Sequence, residues 1–442
     1  MTALKILICG AGITGNALAF WLANLGHETT VVERFPNLRA SGLQVDLRGP
    51  GIQVIRRMGL EELFRERSVP EQGLRLVDDK GRSWGYFPVN KSGRELQSFT
   101  TDFEIMRGDL CQLLYDTTKK FDRVRYRFGI YVQQIEQTDR YAEVIFSDGG
   151  KERFDLVVGA DGQGSRTRSM MLQSDNNDGK LDRSSGYEVP EKSAAEEPFQ
   201  PLGVIAGYFT VYQEVQEAKD YDASIYLTTQ ARGIMTRRHD PHKYQTYLFC
   251  SANKSARLKA ATKGDVDEEK RALTEVFRGI GWQSKEEILT GLAESDDFYC
   301  ERIGVVVLNY WPSRRIALVG DAAYCPSVMT GMGTSCGVVG AYILAGEIAR
   351  YCGKDSEGAM HGIVTALDSY EQKLRPLMNH IQKGLTNNPN YMDQLPSSNW
   401  AIGLMYVLFR VASLLRLDFL ARWVLREDTN GWELPEYPEM TA

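Results

Sequence analysis

Gly10-Ala11-Gly12-Ile13-Thr14-Gly15 is a complete G-x-G-x-x-G, and Glu33 stands downstream of it. Residues of these types at this spacing bind a dinucleotide. Gly10 permits a tight turn, Gly12 lets the backbone approach a pyrophosphate, and Gly15 lets a helix pack closely on a strand. Ile13 and Thr14 lie at the helix start, where free N–H groups meet phosphate. Glu33 is suited to accept hydrogen bonds from the hydroxyls of a ribose. Two more glycine-rich stretches accompany the first: Gly159-Ala160-Asp161-Gly162-Gln163-Gly164-Ser165, and Gly320-Asp321-Ala322-Ala323 leading to Gly331-Met332-Gly333-Thr334. Asp321 suits a polyol chain. The backbone N–H groups of Gly331, Met332 and Gly333 suit an electron-rich carbonyl. Arg107 suits a pyrophosphate.

These residues need elements that bring them together. Leu4 to Cys9 is a short apolar run and reads as a buried parallel strand. Asn16 to Leu25 continues as a helix, with Gly26 as its C-cap. Glu28 to Val32 is a second strand with Glu33 at its end. A strand before and a helix after is the context the motif requires. Phe154 to Val158 and Arg315 to Val319 read as further buried strands running into the other glycine stretches. Ligands of an open parallel sheet sit beyond the carboxyl ends of its strands, so all three junctions can face one long cofactor.

The remaining chain reads as follows. Ser41 to Gly49 alternates like a strand with one wet face. Gly51 to Met58, Leu60 to Arg67 and Arg107 to Thr118 are helices, and Gly73 to Asp78 with Ser83 to Pro88 forms a hairpin. Tyr126 to Ser147 holds two or three strands. Gln173 to Gln200 is polar and reads as a mobile surface excursion. Leu202 to Cys250 is strand-rich, an antiparallel sheet with one covered face. Asp265 to Gly279 and Lys285 to Leu292 are amphipathic helices. Long helices follow from Gly331 to Tyr351 and from Ser356 to about Gly384, the second kinked at Pro376.

The chain has 442 residues and a formal net charge of -6, which argues against nucleic acid as a partner. Seven scattered cysteines without a C-x-x-C indicate reduced thiols and a cytoplasmic protein. The five histidines show no metal-ligand spacing, so no metal is expected. Asn90-Lys91-Ser92 and Asn253-Lys254-Ser255 match the glycosylation pattern only formally. The tail from Asn399 to Leu425 is apolar, but Arg410 ends its uncharged run short of a membrane span. Packing across the domains is its expected role, and membrane contact is not expected.

Gly10-x-Gly12-x-x-Gly15 with Glu33-Arg34, Arg107, Gly159-Ala160-Asp161-Gly162, and Gly320-Asp321-Ala322-Ala323 with Pro326 and Gly331-x-Gly333 resemble the single-component flavin monooxygenases of the p-hydroxybenzoate hydroxylase fold. Gly42-x-Gln44-x-Asp46 and Gly331-x-Gly333-Thr334 look most like the tetracycline-inactivating monooxygenases and their microbial relatives in secondary metabolism. Met332 departs from the commonest pattern, which has Gln or Leu there.

The resemblance implies an α/β fold: a Rossmann-like FAD-binding domain from 1–170 with 300–385, an antiparallel-sheet substrate domain from 171–299 with parts of 70–105, and a helical tail from 386–442. It implies that Gly10, Gly12, Ile13, Thr14 and Gly15 hold the pyrophosphate of a non-covalent FAD and Glu33 its ribose. Arg34 would lie by the adenine, Asp46 near the flavin ring, and Arg107 along the cofactor. Gly320 and Asp321 would meet the ribityl chain, and Gly331, Met332, Gly333 and Thr334 the flavin pyrimidine. Asp161 would serve FAD and a transient NADPH or NADH.

The implied reaction inserts one oxygen atom of O2 into a small aromatic, polyketide-like or terpenoid molecule through a C4a-hydroperoxyflavin, in a monomer or weak homo-oligomer. The flavin carries this chemistry. Arg48 is a charge partner for it or, equally, a solvated arginine on a strand edge. Tyr208, Tyr212, Tyr226, Met235, Arg237 and His239 are candidates to line the substrate pocket, although alternating aromatics also simply pack a sheet. Two alternatives stand: a flavin halogenase, for which Trp84-Gly85-Tyr86-Phe87-Pro88 is a faint signal, and a non-enzymatic prenyl-protein chaperone with a vestigial dinucleotide fold.

Overall fold

The computed structural model describes residues 3–38, 42–89, 101–178, 197–217, 221–252, 257–258, 264–282, 284–352, 359–386, 388, 396–416 and 429–440. Both glycosylation triplets and residues 417–425 of the tail fall wholly or partly outside them.

Lys5–Cys9 is the central strand because Ile6, Leu7 and Ile8 are fully buried and leave no wet face. It pairs in parallel with Glu28–Glu33 on one side and Leu156–Gly159 on the other. Val124–Phe128 extends the sheet in parallel beyond Glu28–Glu33. Ile316–Leu318 does so beyond Leu156–Gly159, and Pro312–Ser313 closes that edge antiparallel. This six-stranded sheet therefore draws its strands from four separated parts of the chain. The helices Ile13–Asn24 and Gly333–Tyr351 pack on each other, and the second is buried from Ser335 to Ala349.

The expected single strand from Phe154 to Val158 is two. Lys151–Phe154 joins a small three-stranded antiparallel sheet, and Leu156–Gly159 joins the main one. Asp155 makes the switch: its N–H donates to the Lys5 carbonyl, and its carboxylate accepts from the Lys5 N–H at 2.7 Å. The expected excursion also begins later. The helix Arg166–Asp178 runs through its first residues, Phe199–Tyr212 takes its last, and 179–196 lie outside the described residues.

A seven-stranded sheet forms the second layer, in the order Tyr299–Val306, Phe199–Tyr212, Lys243–Ser251, Arg232–Asp240, Ala223–Thr228, Gly73–Val77, Ser83–Pro88. All pairings are antiparallel except Ala223–Thr228 with Gly73–Val77. Period-2 alternation splits its faces. Ile205, Phe209, Tyr244 and Leu248 meet Leu273, Phe277, Ile288 and Leu292 of the helices Val266–Phe277 and Lys285–Glu294. Val204, Ala206, Tyr208 and Tyr247 face the other way, toward Leu43, Met329 and Leu385.

The helix Asn399–Leu414 lies on Ser83–Pro88 and Ala223–Thr228. Tyr406 anchors it, donating its hydroxyl to the Val77 carbonyl at 2.7 Å. Further on, the Trp432 indole donates to the Lys373 carbonyl, and the Tyr437 hydroxyl reaches the buried carboxylate of Glu347. Among the described residues no helix is long and apolar enough to cross a membrane. Tyr406→Phe should cost about 1 kcal/mol, the worth of one buried hydrogen bond. Guanidinium unfolding followed by tryptophan fluorescence measures it, with faster proteolysis of the C-terminal helix as the local sign.

Candidate functional site

The first glycine run closes on itself. Gly10 turns with φ +108° and donates its N–H to the Val32 carbonyl at 2.8 Å. A Cβ on Gly15 would stand 2.0 Å from the Gly10 carbonyl oxygen, so the helix enters as close as backbone allows. Asn16 pins the loop from behind: its side-chain amide donates to the Ala11 carbonyl at 2.8 Å, and its oxygen accepts from Tyr126 at 2.6 Å. Gly12 differs from its neighbours. A Cβ there would meet only the Arg107 guanidinium, at 3.9 Å. The space above Gly12 is an open cradle with a cation on its far side, which fits a pyrophosphate.

Glu33 accepts from the Ala11 N–H at 3.0 Å and from the Phe35 N–H at 3.1 Å. Each oxygen keeps a lone pair for ribose. Arg34 is exposed and stacks on Phe35, 4.9 Å from the ring centre. Arg107 opens the helix Arg107–Thr118 and donates its N–H to the Leu43 carbonyl at 2.8 Å. Its methylenes fill the space beside Gly42, where a Cβ would come within 3.0 Å of Arg107 Cδ.

The third junction faces the same cleft. Thr14 occupies the room left by Gly320, where a Cβ would lie 2.7 Å from its hydroxyl. Asp321 begins the next short helix. Solvent reaches it through the cleft although protein crowds it, and that desolvation pushes its pKa up against the opposing charge of Arg107. Two of the expected carbonyl donors are already used. Gly331 N–H donates to the Val328 carbonyl at 3.2 Å, and Met332 N–H to the Thr330 hydroxyl at 3.2 Å. Met332 is buried as a core side chain. Gly333 and Thr334, in the first helical turn, remain half-buried beside the cleft.

Asp161 also makes local hydrogen bonds. Its carboxylate accepts from the N–H groups of Arg166 and Thr167 at 2.9 and 3.0 Å and from the hydroxyls of Ser165 and Thr167. A carboxylate so bonded holds the N-terminus of the helix Arg166–Asp178. Arg48 is not a solvated arginine. It is 1% exposed, pairs through Nε with Asp46, and donates its N–H to Ser335 Oγ at 2.8 Å.

The substrate candidates separate by strand parity. Tyr208 lines a cavity with Gly42, Leu43, Gln245 and Tyr299, its ring 4.8 Å from that of Tyr299. Met235 packs on the same face. Tyr226 points through the sheet to Trp282, ring centres 5.6 Å apart, in the helix-covered core. Tyr212 is 76% exposed at the strand end. Burial and then the charge of Lys243 lower the pKa of His239, and the carboxylates of Asp240 and Asp109 oppose that. Arg237 is no free pocket cation: it is ion-paired with Glu71 and Glu104. Burial, and then the charges of Glu71 and Asp46, push Glu104 up to about 8, against the pull of Arg237.

Sequence reasoning missed Glu71, Glu104, Gln245, Tyr299 and Asn16. Glu104 had a signal, an acid between Phe103 and Ile105 in an apolar run. The others had none. Trp84, the halogenase signal, donates its indole N–H to Asp78 at 3.0 Å and packs on Tyr406, which is a structural role. No group of three metal-ligating side chains occurs among the described residues.

An open phosphate cradle, a ribose acceptor and a crowded carboxylate at three strand ends define a dinucleotide-binding flavoprotein site. A family model described as an FAD binding domain matches residues 3–383. The FAD-dependent monooxygenase asL4 of Sarocladium schorii is 41% identical over 449 residues, spanning 100% of this chain and 99% of that protein. The flavin-dependent monooxygenase eupH of a Phoma species is 39% identical, spanning 99% of this chain and 98% of that one. The solved structure of tetracycline destructase Tet(55) matches with a TM-score of 0.74 at 26% identity, covering 98% of this chain and 99% of that one. The chain belongs to the FAD-dependent monooxygenases of the p-hydroxybenzoate hydroxylase type. That membership sets aside the halogenase and chaperone alternatives.

Gly12→Ala should leave the apoprotein's melting temperature unchanged, because its Cβ meets nothing nearer than 3.9 Å. It should weaken FAD binding at least tenfold, about 1.4 kcal/mol, by filling the cradle. Flavin fluorescence titration against apoprotein checks the pair of outcomes.

Proposed function

We propose that this enzyme uses NADPH or NADH and O2 to place one oxygen atom on a small aromatic or polyketide-like molecule. The observation that carries the reading is the junction at Gly42. Its carbonyl accepts from Gln245 Nε2 of the seven-stranded sheet at 3.1 Å, while Arg107 of the cofactor cleft packs against its other side. Cleft and cavity therefore share one wall. When bound, the flavin supplies the redox chemistry, taking reducing equivalents from the nicotinamide and handing oxygen to the substrate.

The residues of this chain bind, orient and shield. Gly12, Arg107 and the helix start at Ile13 and Thr14 hold the phosphates, Glu33 the ribose, and Asp321 the polyol. Gly333 and Thr334 offer N–H groups to the ring carbonyls. Tyr208 and Tyr299 present two tilted rings to the substrate, and Leu43 and Phe298 add apolar surface beside Asp296 and Asp297. The nicotinamide reaches the flavin transiently across the groove, near Gly162. We divide the chain as a cofactor domain from 1–170 with 300–385, a substrate domain from 171–299 with parts of 70–105, and a helical tail from 386–442. The acidic charge and seven free cysteines support a cytoplasmic protein, taken as a monomer or weak homo-oligomer.

The test is O2-dependent NADPH oxidation, screened with phenols, polyketides and tetracyclines, with mass spectrometry for label from isotopic dioxygen. Tyr299→Ala and Tyr208→Ala should each cut substrate-stimulated turnover about tenfold, the worth of an aromatic contact. Tyr212→Ala should not, and FAD content should stay constant across the set. NADPH oxidation that no substrate stimulates, or product without label, would sink the reading.

A further inference from the structure

Two carboxylates and one guanidinium meet where the strand pair Gln44–Asp46 and Glu104–Met106 lies against the seven-stranded sheet. Arg237 donates Nε and Nη2 to the two oxygens of Glu71, each at 2.8 Å, and Nη2 also to Glu104. Gln44 Nε2 donates to the same oxygen of Glu71 at 3.0 Å and to Glu104. Gln44 and Glu71 are each 6% exposed and Glu104 is 2% exposed. The backbone N–H of Thr101 reaches the second oxygen of Glu104 at 3.1 Å. The other groups facing the cluster are Asp46, already paired with Arg48, and the Tyr247 hydroxyl, which donates to Gln245. With Asp46 and Arg48 cancelling, two carboxylates stand against one cation. An excess negative charge in so buried a place is costly. Like charges at one site lower that cost by keeping a proton. The side-chain oxygen of Gln44 is buried without a hydrogen-bond partner, an acceptor left over on the amide that bridges the two acids.

We propose that this buried cluster, with two carboxylates against one guanidinium, retains one proton, and that it is a positioning device registering the substrate sheet against the cofactor cleft. Hydrogen bonds lead outward from it in two directions. Gln44 N–H donates to Gln245 Oε1 at 3.2 Å, and Gln245 reaches Gly42 on the cavity wall. Toward the cofactor, the strand Gln44–Asp46 continues to Arg48, whose N–H donates to Ser335 in the first turn of Gly333–Tyr351. Gly51 follows so close that a Cβ would stand 2.7 Å from Ser335 Oγ. A shift of Arg237 is therefore passed to Gly42 on the cavity wall and to the helix Gly333–Tyr351. The inference rests on the FAD site and not on turnover, so failure of the proposed reaction leaves its test intact.

The sign of the pH effect follows from the raised Glu104. A buried acid whose pKa is higher in the folded chain contributes fully below its unfolded value, 4.5, and loses that contribution as the pH climbs to about 8. The experiment follows thermal melting and the visible circular dichroism of bound FAD from about pH 5.5 to 9. It compares the wild-type holoenzyme, Glu104→Gln and Arg237→Met. The wild type should lose stability across this range while the flavin signal changes with it. Glu104→Gln, isosteric and permanently neutral, should show neither change and should melt at least about 2 °C above wild type at the alkaline end. Arg237→Met should alter the flavin signal at every pH. If that variant does not fold, the Glu104→Gln comparison decides alone. The inference is overturned if Glu104→Gln keeps the wild-type pH response, fails to bind FAD, or flattens melting while the flavin signal still titrates.

Discussion

Thr14 is the point through which the cofactor cleft holds together. Its side chain fills the space that Gly320 and Gly337 leave empty, with a Cβ on Gly337 falling 2.4 Å from the Thr14 hydroxyl. One residue thus locks the first helix to the strand end that carries Asp321 and to the helix that carries Gly333 and Thr334. Packing this close leaves no slack, since interiors at crystal-like density respond to single methyl groups. Around it, Ile6, Leu7, Ile8, Val157, Val158, Ala317 and Val339 are all fully buried, so the three junctions share one core. The cradle above Gly12 stays open because everything around it is closed.

Buried charge organises the rest. Glu347 is fully buried, yet Lys373 and Tyr437 both reach it, and these ties bring the C-terminal segment onto the Gly333–Tyr351 helix. Gly346 makes room for the Tyr437 ring, since a Cβ there would stand 2.3 Å from it. The Arg237 cluster does the equivalent work between the strand pair Gln44–Asp46 and Glu104–Met106 and the seven-stranded sheet. The partners of these buried charges come from separate parts of the chain, so each network ties together the elements it joins.

The cofactor half was legible in the sequence because its signals are local. Gly10, Gly12, Gly15 and Glu33 form a strand, a turn, a helix and a second strand in one continuous stretch, and the structure keeps every one of them in place. Apolar runs without alternation marked the central strands for the same reason: a strand covered on both faces needs no polar residue. Alternation in Leu202 to Cys250 marked the seven-stranded sheet. What alternation did not mark was which face meets the helices. Tyr208 and Tyr226 look alike in sequence and lie on opposite faces, because a turn between strands resets the parity.

The sequence by itself determined that this chain carries a dinucleotide-binding fold, since backbone conformation and close approach are written in the residue types of one short segment. Only the tertiary structure decided which side chains remain available to ligands. Asp161 accepts from the start of the next helix, the Met332 N–H goes to Thr330, and Arg237 pairs with two acids from distant parts of the chain. A residue type advertises hydrogen-bonding capacity, but the partners that consume that capacity are set by long-range packing, and no local pattern carries that information.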